Sequence, residues 1–428
     1  MSKHALGAII PAAGLGERLQ CVGSPKPLVK IGGLTLLERT IRTLRLGGVD
    51  GKIVVVVGHR GDEVSKFAAS RKLDVVIVTN PDYQRGNGTS VMAGLDHMPE
   101  RFVVAMVDHL HPPQSVKTLL ECEGDFVAAV DTKPSFADVE EATKVRLEGD
   151  KILDIGKKIP EFNAIDTGLF LCHRDSLREL VPAQDEALSW NTVKRMWLAS
   201  GRQIIACDLQ GLPWIDVDTP EDMAKAIDVI MSWAPSGKDG FVSRNFNRHI
   251  SRRITRLLAN TPTTPNQISI MSLLLAVAGS LLIARRAYVP GGLLVQLSSI
   301  IDGCDGEIAR VRLQQSNQGA IFDSVLDRWA DSAVITGMAL SSESRSSLVA
   351  GSLALSGSLL VPYSRARIEA ELGQIPSSML SIGMTRDVRL ALLAIGSILR
   401  KPRETLLSIG LLSNLEVLRR LLQLARAS

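Results

Sequence analysis

Four aspartates lie close together in the apolar second half of the chain, at spacings that suit two facing helices. Asp302 and Asp305 are three residues apart, and Asp323 and Asp327 are four residues apart. At about 100° per helical residue, each pair shares one face of its helix, so the two acidic faces can meet. Unpaired carboxylates at membrane depth are costly unless cations neutralise them. Oxygen ligands favour Mg²⁺, Mn²⁺ or Ca²⁺ over Zn²⁺, and the spacing therefore predicts a site for a pair of divalent cations. The plain alternative is a set of helix-end carboxylates that face water or pair with nearby arginines.

Small residues are interleaved with these carboxylates, which leaves room for a ligand beside the helix backbones. The pattern D-x2-D-G-x2-A-R-x8-G-x3-D-x3-D runs from Asp302 to Asp327 and resembles the signature of the CDP-alcohol phosphotransferase family. The resemblance implies a six-helix membrane domain in which a hydroxyl attacks the β-phosphorus of a CDP-alcohol and CMP leaves. It implies that Asp327 completes the metal site and is the general base. The other residues that it implies are the metal ligands Asp302, Asp305 and Asp323, and the nucleotide neighbours Gly306, Ala309 and Arg310.

The composition differs between the two halves of the chain. The 428 residues carry a net charge of +4, and 22% of them are charged, but the second half has almost no lysine and is rich in Leu, Ala, Ser, Gly and Arg. The first half has the composition of a soluble protein. Five cysteines show no metal-binding spacing, so we expect reduced thiols. Because the N-terminus lacks a secretory signal pattern, we expect the first half to stay in the cytoplasm.

Short apolar runs alternate with amphipathic stretches from residue 5 to about residue 232. This alternation predicts an α/β domain, Rossmann-like, with a mostly parallel sheet and flanking helices. The predicted strands are Leu6 to Ile10, Lys52 to Val57, Asp74 to Val78, Phe102 to Val107 and Phe126 to Val130. We predict a domain over residues 1–232, a linker with a juxtamembrane helix over residues 233–262, and a membrane domain over residues 263–428.

A glycine loop follows the first predicted strand. Gly14 and Gly16 let backbone N–H groups surround phosphates, and Arg18 and Lys26 supply positive charge. The combination G-x-G-x-R with a downstream K-P resembles the nucleotidyltransferases that activate sugar and alcohol phosphates. The resemblance implies that a phosphomonoester attacks the α-phosphorus of an NTP and releases pyrophosphate, without a protein nucleophile.

The same resemblance assigns further residues of the first half. It implies that Mg²⁺ is bound by Asp108, at the end of a predicted strand, and by a second aspartate. Asp218 is the first choice for this second ligand and Asp216 the alternative, because either could point inward. Asp166 to Phe170 resembles the acceptor-side strand. The residues expected to hold the base and ribose are Asn87, Gly88 and Ser90.

The fusion of the two halves is itself informative, because a cytidylyltransferase makes the CDP-alcohol that the second half consumes. The whole chain resembles the family of bifunctional enzymes of di-myo-inositol phosphate synthesis, an osmolyte pathway. This implies CTP, inositol-1-phosphate and CDP-inositol as substrates and Mg²⁺, with Mn²⁺ as the alternative, in both domains. The competing interpretations are a lipid synthase that transfers a headgroup to a lipid acceptor, and a non-catalytic nucleotide-binding membrane tether.

A phosphorylated acceptor would need cations near the membrane carboxylates. Arginine can bind phosphate with two parallel hydrogen bonds, and it can also anchor a helix at the cytoplasmic membrane surface. Both roles remain open for each of these residues. The candidates are Arg365, Arg367, Arg386 and Arg389.

The second half is expected to be a multi-pass membrane domain with both chain ends in the cytoplasm. The basic segment Phe241 to Asn260 predicts an amphipathic helix on the membrane surface. An apolar block follows it immediately, so we expect a bilayer and no nucleic acid as its partner. The family resemblance implies a homodimer through the membrane helices. The predicted spans are Gln267 to Ala284, Ala287 to Ile301, Gly319 to Leu340, Ser347 to Pro362, Val388 to Leu399 and Thr405 to Leu424.

Overall fold

The computed structural model describes residues 5–16, 18–19, 23–180, 187–233, 240–342, 344–376, 379 and 383–427. The chain divides into two compact units, the first built mainly from residues up to 235 and the second mainly from residue 236 onward. Most of the predicted linker, residues 234–239, lies outside the described residues.

The strands of the first unit begin and end close to the predicted positions. Because Ile9, Val54 and Phe102 are fully buried, hydrophobic packing accounts for these strands. The strands are β1 (Gly7–Ala12), β2 (Lys30–Ile31), β3 (Leu34–Thr35), β4 (Ile53–Val57), β5 (Val76–Thr79), β6 (Arg101–Ala105), β7 (His109–Leu110), β8 (Phe126–Asp131), β9 (Lys144–Glu148), β10 (Lys151–Gly156), β11 (Ala164–His173), β12 (Ile204–Asp208) and β13 (Ile215–Asp216).

A nine-stranded sheet in the order β5-β4-β1-β6-β11-β8-β12-β10-β9 forms the core of this unit. β5, β4, β1 and β6 are parallel neighbours, as are β8 and β12. β11 and β10 run against their neighbours, so the sheet has one main direction and two reversed strands. The predicted mostly parallel arrangement is therefore present in β5, β4, β1 and β6, and in β8 with β12. The prediction did not include the reversed strands, because the direction of a strand such as β11 depends on long-range pairing.

Helices cover this sheet, and side-chain caps define where several of them start. Thr35 and Glu38 form a capping box at the start of α1, and Thr219 and Asp222 form another at α7. The helices are α1 (Leu36–Gly47), α2 (Gly61–Ser70), α3 (Asn87–Gly94), α4 (Pro113–Leu120), α5 (Arg174–Arg178), α6 (Trp190–Ala199) and α7 (Pro220–Ser232).

The described residues of the second unit form helices joined by short loops, with no strand among them. A short π-helical turn, Ser243–Asn247, leads into the first helix, so the predicted amphipathic helix is interrupted at its start. The helices are α8 (Arg248–Leu258), α9 (Pro265–Ala284), α10 (Tyr288–Val311), α11 (Asn317–Leu340), α12 (Arg345–Leu372), α13 (Arg386–Ile398) and α14 (Pro402–Ala427). α9 to α14 correspond in order to the six predicted spans, but α12 continues ten residues past Pro362, which lies inside it.

Two of these helices, α9 and α12, are long and apolar enough to cross a membrane by length and composition. The other predicted spans do not meet that measure within the described residues. α10 and α11 carry several carboxylates, and α13 has only 13 residues, which explains why these three helices do not meet it. A 13-residue helix is about 20 Å long, which is shorter than the hydrocarbon core of a bilayer, about 30 Å.

Candidate active sites

The glycine loop after β1 lines a cavity of about 460 Å³ in the first unit. Gly16 has a φ of +59°, and a Cβ at this position would lie 2.9 Å from the Cβ of Lys26. Both the backbone conformation and the close approach therefore require glycine. Around Gly14, by contrast, an added Cβ would meet no atom within 4 Å, so this residue leaves the cavity open.

Lys26 lies between two carboxylates at one end of this cavity. Its Nζ donates to Asp108 Oδ2 at 2.5 Å and also to Asp218 Oδ1. Arg18 Nη2 lies 3.3 Å from Asp218 Oδ2, and Arg18 Nη1 lies 2.5 Å from Glu141 Oε2. Burial opposes the charge of Lys26, but Asp108 and its neighbouring carboxylates raise the pKa of Lys26 above its ordinary value. Because Asp108 and Asp218 converge on one cation, their oxygens also fit a divalent metal.

Asp216 and His109 lie beside Asp108. β13 pairs with β7 so that Asp216 is opposite His109, and His109 Nδ1 is 2.8 Å from Asp108 Oδ1 and 3.7 Å from Asp216 Oδ1. Burial raises the pKa of Asp216 to about 6, although His109 acts in the opposite direction. Burial lowers the pKa of His109, but Asp216 and Asp108 more than offset this and raise it to about 9. One ligand atom from each of these three residues lies within 4.8 Å of the others. Asp216 is thus grouped with His109 and Asp218 with Lys26, and both aspartates remain candidates for the second metal ligand.

The sequence predicted Asp108 at the end of a strand, but in the structure a turn separates Asp108 from the strand before it. β6 ends at Ala105, and Met106 begins a turn in which His109 N–H donates to Met106 O at 3.3 Å. The turn also holds Val217, whose N–H donates to Asp108 O at 3.0 Å. This contact places the segment that carries the other two aspartates beside Asp108.

The predicted base and ribose residues have different environments. Asn87 and Ser90 line the cavity, and Asn87 Oδ1 accepts a hydrogen bond from Trp190 N–H at 2.8 Å. Gly88 instead packs against the chain at Leu188, where an added Cβ would lie 2.6 Å from the carbonyl oxygen. Gly88 therefore allows close packing of the chain, and its contact with the nucleotide remains a prediction.

A second cavity, of about 630 Å³, adjoins the first within the same unit. The two cavities share four lining residues, Asn87, Met106, Asp108 and Asp218. A ligand in each cavity would therefore approach the other at the carboxylates. This arrangement suits a reaction between two phosphate-bearing molecules held in line.

Buried charges line the second cavity. Lys194 is 1% exposed and its Nζ donates to Asp166 Oδ2, and Gly168 N–H donates to Asp166 Oδ1 at 2.9 Å. Burial lowers the pKa of Lys194, against the effect of Asp166. The sequence prediction placed the segment from Asp166 to Phe170 on the acceptor side but missed Lys194. A lysine on a helix face that is otherwise apolar, between Trp190 and Trp197, was the available signal.

In the second unit, α10 and α11 bring three of the four predicted aspartates together. One carboxylate oxygen from each of Asp302, Asp305 and Asp323 lies within 4.8 Å of the other two. Ser272 Oγ donates to Asp302 Oδ1 at 3.2 Å, and Ser269 Oγ donates to Asp305 Oδ2 at 2.5 Å. A set of oxygen ligands without histidine or cysteine fits Mg²⁺ or Mn²⁺.

Asp327 lies beside these residues and pairs with an arginine of α13. Arg386 Nη1 is 2.9 Å from Asp327 Oδ1 and 2.5 Å from Asp302 Oδ2. Arg386 Nε is also 3.3 Å from Asp331 Oδ1, and Arg389 Nη2 is 2.8 Å from Asp331 Oδ2. Sequence reasoning missed Asp331, although it follows Asp327 at the same four-residue spacing. Asp331 thus holds the two arginines next to the acidic residues.

The other two predicted arginines lie on α12. Arg367 is exposed and its Nη2 is 2.6 Å from Glu371 Oε1, and Arg365 is half-buried. Arg386 and Arg389 are therefore the predicted acceptor residues that contact aspartates. Phosphate binding by Arg365 and Arg367 remains a prediction.

The small residues of α10 lie on the face that carries the aspartates. A Cβ added to Gly306 would be 3.0 Å from Arg310 Nη1, with no other group within 3.6 Å. Ala309 and Arg310 are half-buried on this face. The space beside Gly306 is compatible with the predicted contact of a nucleotide.

Two family models match different parts of the chain. Residues 8–139 match a MobA-like NTP transferase domain, and residues 262–415 match the CDP-alcohol phosphatidyltransferase family. The first match contains the glycine loop, Lys26 and Asp108, and the second contains the four predicted aspartates of α10 and α11. The first unit is therefore a nucleotidyltransferase domain, and the second is a helical domain of a membrane-type family.

Similar proteins cover the whole chain. A bifunctional IPC transferase and DIPP synthase of Rubrobacter xylanophilus is 57% identical over 425 residues, which span 99% of this chain and 98% of that protein. A protein with the same description from Archaeoglobus fulgidus is 34% identical over 86% of this chain and 72% of its own length. Among solved structures, the inositol-1-phosphate CTP transferase from T. maritima is 26% identical, with a TM-score of 0.49, and the match covers 55% of this chain and 99% of that one.

Proposed function

The chain belongs to the family of bifunctional IPC transferases and DIPP synthases, and on this premise we propose how its two sites divide the chemistry. The first unit joins CTP and inositol-1-phosphate to give CDP-inositol and pyrophosphate. The second unit transfers inositol phosphate from CDP-inositol to a hydroxyl of a second inositol-1-phosphate and releases CMP. The observation that supports this division is the presence of two separate carboxylate sites, one in each unit.

In the first reaction, an oxygen of inositol-1-phosphate attacks the α-phosphorus of CTP, and pyrophosphate leaves. CTP occupies the cavity lined by the glycine loop, where backbone N–H groups, Arg18 and Lys26 bind the phosphates. Inositol-1-phosphate occupies the adjoining cavity above Asp166 and Lys194. Since both substrates carry negative charge, the main task of the protein is to hold them in line against their repulsion.

Asp108 with Asp218, or with Asp216, would hold Mg²⁺ in this site. The bound ion would neutralise the phosphates and stabilise the leaving pyrophosphate. Lys26 donates to Asp108 and Asp218 and is within reach of the phosphate-binding loop. We infer that Lys26 moves its hydrogen bonds from these carboxylates to a phosphate when substrate binds.

In the second reaction, Asp327 takes the proton of the attacking hydroxyl as general base. Asp302, Asp305 and Asp323 would hold the metal ions, with Asp327 completing the set, and the ions would stabilise the departing CMP. The cytidine nucleotide lies along Gly306, Ala309 and Arg310. Arg386 and Arg389 bind the phosphate of the acceptor, because they are the predicted arginines that contact the carboxylates.

We also propose the placement of the chain at the membrane. α9 to α14 span the bilayer, the α8 helix lies on the cytoplasmic surface, and the first unit and the C-terminus are cytoplasmic. The domains are residues 1–232, a linker with α8 over residues 233–262, and residues 263–428, and two copies associate through the membrane helices. Exposed apolar side chains on α9 and α12, such as Leu274 and Val349, support contact with lipid or a second copy.

The test uses the purified chain in detergent with Mg²⁺, CTP and inositol-1-phosphate, followed by ³¹P NMR. We expect pyrophosphate, CMP and a water-soluble inositol phosphodiester that still carries a phosphomonoester. A product that forms only when a lipid acceptor is added, and that partitions into solvent, would replace the second reaction with headgroup transfer. Pyrophosphate release only with a different alcohol phosphate would change the substrate of both steps.

A further inference from the structure

The α8 helix and the π-helical turn before it, which contains Phe246 and Asn247, pack inside the second unit by a face with several polar side chains. Asn247, Ser251 and Thr255 recur every four residues, and they are 3%, 1% and 0% exposed. On the outer face, Phe246 and Leu257 are 57% and 77% exposed. Ile254 and Leu258 of α8 are half-buried and pack against an apolar cluster that includes Cys304 and Ile308 of α10. Directed hydrogen bonds therefore act together with apolar contacts in holding the α8 helix.

The partner of this polar face is one side of α10. Gln296, Ser299, Gly303 and Glu307 recur every three or four residues and share that side. Gln296 Nε2 donates to Asn247 Oδ1 at 2.9 Å, and Asn247 Nδ2 donates to Ser299 Oγ at 3.1 Å. We call this contact between the Asn247–Thr255 face and the Gln296–Glu307 face the polar seam.

Glu307 is at the centre of the bonding in the polar seam. Its carboxylate is 6% exposed and accepts from Arg248 Nη1 at 2.5 Å, Ser251 Oγ at 2.9 Å and Thr255 Oγ1 at 2.5 Å. Arg248 Nη1 also donates to Gly303 O at 3.3 Å. Donors from two turns of α8 thus meet at one carboxylate, which defines both the rotation and the axial position of α10 relative to α8.

Glu307 is close in sequence to the metal candidates but points away from them. It follows Asp305 by two residues and Asp302 by five, so at about 100° per residue it lies roughly 140–160° around the helix from both. The same rigid helix therefore carries the seam on one side and the two carboxylates on the other. Productive metal geometry requires side-chain positions held within about 0.5 Å.

We propose that Glu307 is a positioning residue for the second reaction, which holds α10 through the polar seam so that Asp302 and Asp305 keep their metal-binding geometry. This proposal rests on the transfer reaction proposed above. The apolar contacts of Ile254 and Leu258 with α10 contribute stability but are non-directional. The hydrogen bonds to the buried Glu307 carboxylate have defined directions, so they favour one position of α10.

The variant that tests this role is Glu307→Gln, which keeps the shape and removes the charge. The chain offers a matched control in Glu416 of α14, which is also buried, at 7% exposure, and also pairs with arginines. Glu416 Oε1 is 2.8 Å from Arg419 Nη2 and 3.3 Å from Arg420 Nε. Glu416→Gln therefore makes the same chemical change in a helix that does not carry the aspartates.

The activity readout is CMP release from supplied CDP-inositol and inositol-1-phosphate as the Mg²⁺ concentration is varied. For Glu307→Gln we expect half-saturating Mg²⁺ to rise about tenfold, as is typical when groups that orient metal ligands are lost. Glu416→Gln should leave this value within about twofold of the original. Pyrophosphate release from CTP by the first unit of the same molecules measures the amount of active first unit, and the rate of CMP release is expressed relative to it.

A second readout does not depend on activity. Cys304 is 0% exposed in the polar seam, and its Sγ lies 3.6 Å from the carbonyl oxygen of Ser251. If the seam loosens, a maleimide should modify Cys304 faster, and mass spectrometry of the Cys304 peptide measures that rate. We expect at least fivefold faster modification in Glu307→Gln and an unchanged rate in Glu416→Gln.

Each outcome decides the proposal. An unchanged Mg²⁺ dependence in Glu307→Gln, or an equal rise in Glu416→Gln, would overturn it, and so would lost activity with an unchanged Cys304 rate. If Glu307→Gln does not fold, Thr255→Val removes one donor and leaves Glu307 paired with Arg248, and it should show the same two effects at smaller size. Failure of the unmodified chain to release CMP would instead refute the proposed transfer reaction.

Discussion

Replacing Asp331 with asparagine should destabilise the helical unit and slow transfer by it. Asp331 is 2% exposed and accepts from Arg386 at 3.3 Å and from Arg389 at 2.8 Å. Asparagine has nearly the same shape but no charge. Arg389, which is 2% exposed, would keep its hydrogen bond to Met384 O at 2.9 Å and could donate to the asparagine oxygen, but it would lose the negative charge that compensates its own.

The size of the effect follows from this burial. Removing one member of a buried ion pair costs about 3–5 kcal/mol, because the other charge is left uncompensated. For a unit of 150–250 residues, 1 kcal/mol corresponds to a shift in Tm of about 2–4 °C, so we expect Asp331→Asn to lower Tm by roughly 10 °C. Arg386 would also lose one of its anchors, and we expect about a tenfold lower rate of CMP release at limiting acceptor, since a mispositioned phosphate ligand weakens binding.

The assay is thermal unfolding of the detergent-solubilised chain, together with CMP release from supplied CDP-inositol. The matched control is Glu371→Gln, which removes the exposed pair with Arg367, where both side chains are at least 60% exposed. An exposed pair contributes about 0–1 kcal/mol, so the Tm of Glu371→Gln should change by no more than about 4 °C.

Two results would refute this reasoning. One is an Asp331→Asn chain whose Tm lies within about 2 °C of the original, which would mean that the buried arginines find other partners. The other is a large fall in Tm with unchanged dependence on acceptor concentration. That result would make Asp331 important for stability but not for placing Arg386.

Three further predictions concern separate parts of the molecule. Asp108→Ala should abolish pyrophosphate release and leave CMP release from supplied CDP-inositol intact. Asp327→Ala should abolish CMP release and leave pyrophosphate release intact. Loss of both activities in one folded variant would exclude independent sites. Gly16→Ala should raise the KM for CTP at least tenfold, because it combines a φ of +59° with a contact 2.9 Å from a lysine Cβ. Gly149→Ala is the control, because Gly149 has a φ of +63° but lies in the turn between β9 and β10, with no atom within 4 Å of an added Cβ. Burial and the charge of His109 lower the pKa of His111 to about 3. Between pH 6.5 and pH 3, the unfolded chain therefore binds a proton at this histidine, whereas the folded chain does not. The first unit should therefore lose about 1.4 kcal/mol of stability per pH unit in that range, and His111→Gln should flatten this dependence in urea unfolding between pH 5 and pH 7.

Local sequence patterns were sufficient to predict features that depend on a single helix or strand. Apolar runs located β1 and β4 to within about two residues. The spacing of Asp302, Asp305 and Asp323 anticipated the cluster on α10 and α11, since helical geometry alone brings such residues to one face.

Features that depend on long-range contacts were not available from the sequence. The reversed direction of β11 is set by its pairing with β6 and β8, which are distant along the chain. The buried partners Lys194 and Glu307 have charged side chains that the sequence alone places on a solvated surface. Asp331 is different, because its four-residue spacing after Asp327 was visible, and it was missed because the family pattern ends at Asp327.

The ladder between β7 and β13 has a consequence for the order in which the chain is made. It joins His109 to a segment more than 100 residues later, and this segment carries both candidates for the second metal ligand. A growing chain released before residue 215 would have the glycine loop but an incomplete metal site. Domains generally fold as units from the N-terminus during synthesis, so the nucleotide site becomes complete after α7 has emerged and before Asp302 has been translated. The site that makes the activated alcohol is thus complete before the ribosome reaches the aspartates of the site that consumes it.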